Sequence, residues 1–135
     1  MAQLFLINLV YMTLNVYEEA RDQPFDGQVA VCQVVMNRAD VKKKSAYDII
    51  TQPYQFSWTM GVDHKTKLVD AMKDYHIFEE CYKAVEECVK LRTNGDTLGG
   101  ATHYYNPKLV QEPDWVKDCK YICSIHDHMF YKGRF

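Results

Sequence analysis

Apolar residues at Leu4, Leu9, Met12 and Val16 recur at near-helical spacing, and the segment runs to Arg21 without Gly or Pro. This pattern predicts a helix over residues 3–21, ended by Pro24. After the turn Gln23-Pro24-Phe25-Asp26-Gly27, the residues Val29, Val31, Cys32, Val34, Val35 and Met36 leave almost no polar face. A helix of that kind belongs at the centre of a core, and Asp26 is its expected cap. The β-branched residues would also suit a strand, but length and the cap favour a helix. Ser45 and Asp48 have capping-box form ahead of Ile49 and Ile50, which predicts a short third helix stopped by Pro53. A loop is expected next. Phe78, Tyr82, Val85 and Val89 then form a stripe three and four residues apart, closed by Asn94-Gly95, and predict a long amphipathic helix over residues 74–92.

Beyond Gly99-Gly100 the pattern changes. Thr102, Tyr104 and Tyr105, then Tyr121, Ile122, Ile125, Met129, Phe130 and Tyr131, are strand-favouring residues in short runs. They predict a small antiparallel sheet or hairpins. No repeat or linker interrupts the chain, so residues 1–135 are expected to form a single domain of two lobes, one helical and one strand-rich, with a cleft between them as the natural site.

Composition narrows the function. The 135 residues are 47% apolar and 25% charged, which is ordinary for a globular domain. A net charge of -2, from 16 basic against 18 acidic residues, provides no field for a phosphate backbone, so nucleic acid is excluded as a partner. The Lys42-Lys43-Lys44 run reads as a solvated loop. Five cysteines, Cys32, Cys81, Cys88, Cys119 and Cys123, make an odd set without a disulfide framework, as expected for synthesis in a reducing compartment. Cys32, Cys81 and Cys88 lie on apolar stripes and are expected to be small buried hydrophobes. Residues 2–16 lack a basic leader and a cleavage site, and are shorter than the roughly 20 apolar residues of a spanning helix. The expectation is therefore cytoplasmic synthesis without a signal peptide, no stable membrane insertion, and a buried first helix.

Several clusters could carry chemistry. Glu18, Glu19 and Asp22 sit where the first helix runs out; Glu18 and Asp22 share a face, while Glu19 is rotated by about 100° and can point elsewhere. Taken alone, such a glutamate reads as a solvated surface residue, because the helix dipole does not favour it there. Gln55-Phe56-Ser57-Trp58, Gly99 through Pro107, and Ile125 through Tyr131 each mix aromatics with hydrogen-bonding groups. Sugars present apolar faces and hydroxyls, so a glycan cleft needs walls of this composition. Cys119, Cys123, His126 and His128 offer four zinc-type ligands within ten residues, but as one segment with Cys-x3-Cys and His-x-His spacing they are poorly arranged for a structural metal. No metal or cofactor is expected.

Together these residues resemble a known family. Glu19-Ala20-Arg21, Gly27-Gln28-Val29-Ala30-Val31 and Val34-Val35-Met36-Asn37-Arg38 are similar to the signature of SleB-like cell wall hydrolases, known from spore-cortex lytic enzymes and phage endolysins. Gln55-Phe56-Ser57-Trp58, then Gly100 through Pro107 with Trp115, then His128-Met129-Phe130-Tyr131, resemble its later motifs in the same order. Four ordered motifs are far more specific than any one of them. The resemblance implies a lysozyme-like, mainly α (α+β) fold. It also implies attack on the bond between N-acetylmuramic acid and N-acetylglucosamine in peptidoglycan glycan strands of the bacterial cell wall. By position Glu19 matches the catalytic glutamate, with Glu18 its rival. Glu18 and Asp22 stand where the family commonly has glycine, and Gln23 where it often has glutamate.

The expected substrate-binding residues are Phe56, Ser57, Trp58, Thr102, His103, Tyr104, Asn106 and His128. Tyr104 and Asn106 are the expected supports of the transition state, and His103 and His128 are expected to be hydrogen-bonded structural histidines of the cleft wall. The resemblance suggests lytic transglycosylase chemistry, which needs one carboxylate; the expected lack of an export signal suits a phage endolysin, with a bacterial enzyme exported by another route as the alternative. Hydrolysis with Asp22, Asp26 or Asp63 as a second carboxylate is the rival. A noncatalytic glycan-binding module and a metal-binding module are the alternatives from other classes.

Overall fold

The computed structural model describes residues 2–53, 55–61 and 63–134; the side chain of Leu4, expected in the first apolar stripe, lies outside this description. Among these residues five α-helices come first: α1 (Ala2–Ala20), α2 (Phe25–Lys42), α3 (Ala46–Thr51), α4 (His64–Lys73) and α5 (Tyr75–Thr93). The strands β1 (His103–Tyr105), β2 (Lys120–Ile125) and β3 (His128–Lys132) follow and form an antiparallel sheet in the order β1-β3-β2. The mainly helical fold with a small antiparallel sheet is the one that the hydrophobic pattern predicts.

Helix α2 is the shared wall of the molecule, buried at every residue from Gly27 to Val35. Through Val29, Cys32 and Val35 it joins the core built with α1, α3 and α5; through Ala30 and Val34 it meets Ala101, Phe130, Ile122, Cys123 and Ile125. A helix with apolar residues all round can serve two clusters at once, which is why the expected two lobes meet along it. Cys32, Cys81 and Cys88 are at most 1% exposed, as small buried hydrophobes should be.

Helix α2 starts at Phe25 with Pro24, not Asp26, in the cap position. A proline has no N–H to leave unpaired and a φ suited to a helix start, while the Asp26 carboxylate accepts the neighbouring Gly27 N–H at 3.0 Å. The turn from α1 is tight. The Ala20 carbonyl, at the end of α1, accepts the Gln23 backbone N–H at 2.9 Å and the Gln28 side-chain amide at 3.2 Å. A Cβ on Gly27 would stand 3.3 Å from the Gln23 Cβ. Helix α3 is capped as its sequence predicts, the Asp48 N–H donating to Ser45 Oγ at 3.1 Å.

Two expectations are corrected. The stretch expected to be a loop after Pro53 contains α4, capped by Asp63, which accepts the Lys65 N–H at 3.2 Å. Its apolar signal is weak because Ala71 is the buried residue of the helix, while Val69 and Met72 are each 54% exposed. Helix α5 spans the expected residues, but its buried line is Cys81, Ala84, Val85 and Cys88; Tyr82, expected in the stripe, is 38% exposed. Close approach to α1 and α2 selects small side chains there and turns the larger ones aside.

Polar side chains fasten the strap that leads into β1. Gln33 Nε2 donates to the Asp96 carbonyl, and Asn37 Nδ2 to the Thr97 and Ala101 carbonyls, each at 2.8 Å. Arg92 of α5 donates to Gln33 Oε1 at 2.9 Å and Asn37 Oδ1 at 2.7 Å, and also pairs with Asp40. Buried amides are tolerated when partnered in this way, and their geometry then fixes the chain they hold.

Candidate active site

Glu19 occupies the last turn of α1. Its Oε1 accepts the hydroxyl of Tyr104, from β1, at 2.9 Å. Burial raises the Glu19 pKa above the usual carboxylate range; the Tyr104 hydroxyl and the Arg38 charge pull it down, and Glu18 pushes it up. Burial and the adjacent carboxylate drive the Tyr104 phenol well above its ordinary value, so it remains a donor. Its ring stands edge-on to His128 at 5.2 Å and tilted on Phe130 at 5.7 Å. A carboxyl group that holds its proton longer than usual, on a fixed donor, has the properties of a general acid.

The neighbouring carboxylates face other partners. Glu18 turns to Arg21, 3.8 Å away. Asp26 pairs with His126 at 2.6 Å, and Asp63 caps α4 through Lys65 and Thr66. Asp22 is exposed, and its charge acts on His128.

Arg38 belongs to this site although the expected set does not contain it. Its Nε–H donates to the Thr102 carbonyl at 2.6 Å, its NH1 to Gln55 Oε1 at 3.5 Å, and its guanidinium lies 5.3 Å from the centre of the Phe56 ring. The available signal is an arginine closing the otherwise apolar run of α2, but nothing in one dimension shows where that side chain reaches.

The expected sugar-binding residues separate into two groups. Phe56 and Trp58 are 3% and 8% exposed, inside the core with α1 and α2, and the Trp58 indole donates to Asn15 Oδ1 at 2.8 Å. Thr102 is 1% exposed and its hydroxyl accepts the Gly133 N–H at 2.8 Å. These three are frame, contrary to their expected place on a cleft wall. Large aromatics bury the most apolar surface of any side chain, so a gap between helices takes them. Ser57 is exposed at the start of a single 3-10 turn, and Asn106 Oδ1 accepts the Lys108 N–H at 2.9 Å within its own turn.

His103 bonds Thr102 Oγ1 at 2.9 Å and lies on Trp115, with ring centres 4.8 Å apart. Burial, then the charges of Arg38 and Lys42, lower its pKa to about 4, so it is neutral at ordinary pH. His128 departs from expectation: it is 8% exposed, and its buried Nδ1 has no hydrogen-bond partner among the described residues. The four zinc-type residues are dispersed, His126 on Asp26 and His128 against Tyr104, and among the described residues no group of three or more His, Cys, Asp or Glu could hold a metal. A cavity of about 330 Å³ opens elsewhere, lined mainly by Phe25, Val29, Ala30, Leu91, Leu98 and Ile125. Among the described residues, no helix is long and apolar enough to cross a membrane.

Comparison with known proteins places the chain among wall-lytic enzymes by sequence and by fold. A family model described as Cell Wall Hydrolase matches residues 22–131. The spore cortex-lytic enzyme of Oceanobacillus iheyensis is 31% identical over 124 residues, which are 90% of this chain and 40% of that protein. That of Bacillus subtilis is 30% identical over 118 residues, or 85% of this chain and 34% of that one. The chain thus spans well under half the length of these curated relatives. Among solved structures, the catalytic domain of the germination-specific lytic transglycosylase SleB from Bacillus anthracis superposes with a TM-score of 0.66 at 29% identity, covering 93% of each chain. The catalytic domain of the Bacillus cereus SleB protein gives 0.64 at 29% identity, covering 93% of this chain and 89% of that one.

Proposed function

The chain belongs to the cell wall hydrolase family, and we propose that it cleaves the β-1,4 bond between N-acetylmuramic acid and N-acetylglucosamine in peptidoglycan as a lytic transglycosylase, with Glu19 as both acid and base. The observation that supports the proposal is the half-buried Glu19 carboxyl on the Tyr104 hydroxyl, while among the described residues Glu18 pairs with Arg21, Asp26 with His126, and Asp63 caps α4. The family match begins at Asp22, so the choice of Glu19 is supported by this geometry and by its likeness to the family's glutamate.

In the proposed reaction Glu19 gives its proton to the glycosidic oxygen as the bond to muramic C1 breaks. The muramic C6 hydroxyl then attacks C1 and returns its proton to the Glu19 carboxylate, which closes a 1,6-anhydro ring and consumes no water. One carboxyl suffices because the proton it lends comes back. The Tyr104 hydroxyl steadies the carboxylate while it is charged. Tyr104, Ser57, His103 and Asn106 remain the proposed sugar contacts, within a frame that includes Phe56, Trp58, Thr102 and the equally buried His128.

Mass spectrometry of fragments released from purified peptidoglycan tests the reaction: 1,6-anhydro-muramyl ends are expected, and reducing muramic ends would make the enzyme a hydrolase. The proposed biological setting is phage lysis. Clearing of permeabilised vegetative cells by the purified protein is expected, and action confined to spore cortex would overturn that part.

A further inference from the structure

Arg38 is a half-buried cation that makes no ion pair among the described residues. Its partners are neutral: the Thr102 carbonyl, the Gln55 side-chain carbonyl and the face of Phe56. Even partial burial of a guanidinium without an anion is costly, so its retention needs a reason. Two features of its place supply one. Thr102, which it grips at 2.6 Å, lies two residues before Tyr104, whose hydroxyl reaches Glu19. The carboxylate on which its charge acts is that of Glu19, and the influence is mutual.

We infer that Arg38 is the positioning residue of this site: it anchors the chain at the start of β1 so that Tyr104 meets Glu19, and from that anchored place its fixed positive charge acts on the carboxylate that forms when Glu19 gives up its proton. Phe56 thereby gains a role that its burial denies it as a sugar contact, and Gln55 shares it. Gln55 orients the guanidinium edge and Phe56 supports its face, a stacked geometry that a lysine ammonium cannot reproduce. The inference rests on the reading of Glu19 as the proton carrier.

The test is the pH dependence of single-turnover cleavage of purified peptidoglycan by wild type, Arg38→Lys and Arg38→Gln, with thermal melting and Glu19→Gln measured alongside. Removing a nearby positive charge makes Glu19 a weaker acid. The alkaline limb of the rate should therefore move up by about one pH unit in Arg38→Gln and by less in Arg38→Lys, while the plateau rate falls about tenfold. If Arg38→Gln does not fold, the limb of Arg38→Lys decides. A purely structural role would lower melting temperature and rate and leave the limb in place; an unmoved limb in the folded variants, with Glu19→Gln inactive, overturns the inference alone. Cleavage by Glu19→Gln would instead overturn the underlying reading of the site.

Discussion

Tyr104→Phe removes one oxygen and keeps the ring, so the contacts with His128 and Phe130 at 5.2 and 5.7 Å should survive. What is lost is the 2.9 Å hydrogen bond to Glu19 Oε1. A hydrogen bond to a charged group contributes about 1.5–3 kcal/mol, and one pKa unit corresponds to about 1.4 kcal/mol, so the change is worth roughly one to two units. Its direction follows from which form the bond favours. The phenol donates to the carboxylate and so lowers the Glu19 pKa against the larger upward push of burial; without it the pKa rises further. The acid form then persists to higher pH, and the alkaline limb of cleavage should shift upward by about one to two units. The plateau rate should fall by at least about tenfold, because a weaker acid delivers its proton less readily and the carboxylate has lost a donor. Release of 1,6-anhydro-muramyl ends, followed from pH 4 to pH 10 under single-turnover conditions, measures both quantities. A limb that stays in place or moves down would refute the assignment of Tyr104 as the hydrogen-bond partner of the reacting carboxylate.

Glu19→Gln should abolish nearly all cleavage, by at least about 10²-fold. It should also remove a pH dependence of stability: a carboxyl whose folded pKa is raised costs stability as pH climbs from its unfolded value through the folded one, so the variant should melt at or above wild type at pH 8, and a lower melting point there would contradict the burial argument. Glu18→Gln should keep most activity because that side chain faces Arg21, and loss of activity comparable to Glu19→Gln would reverse the two roles. Trp58→Ala should destabilise by about 3–5 kcal/mol through a cavity in the helical core. Its residual activity should follow the folded fraction measured by circular dichroism, and a fully folded variant that cannot bind glycan would return Trp58 to the cleft.

Much of the architecture was legible in one dimension. The turnless run to Arg21, the apolar α2 sequence, the Ser45 cap and the strand-favouring residues after Gly100 each predict the element found, because each signal is local. Backbone hydrogen bonding, capping and the period of burial act within a few residues. Helix α4 leaves little trace in the sequence because little of it is buried, and a helix held by its Asp63 cap and a single buried alanine shows no apolar period. The buried line of α5 was displaced for a related reason. Which face of an amphipathic helix turns inward depends on how closely its neighbours approach, and only the side chains of α1 and α2 set that distance.

For the site, the sequence by itself determined the chemical inventory: a glutamate at the end of a helix, aromatic and amide clusters in a fixed order, and a likeness of those motifs to a family of wall hydrolases. Tertiary structure decided the roles. Folding brings Tyr104, 85 positions away in sequence, onto Glu19, and Arg38 onto Thr102, which leads into the strand that carries Tyr104. It takes Phe56 and Trp58 out of the expected cleft and into the core. The physical reason is that a carboxyl becomes an acid catalyst through desolvation and through the donors and charges around it, and these depend on distances in space that sequence separation does not encode.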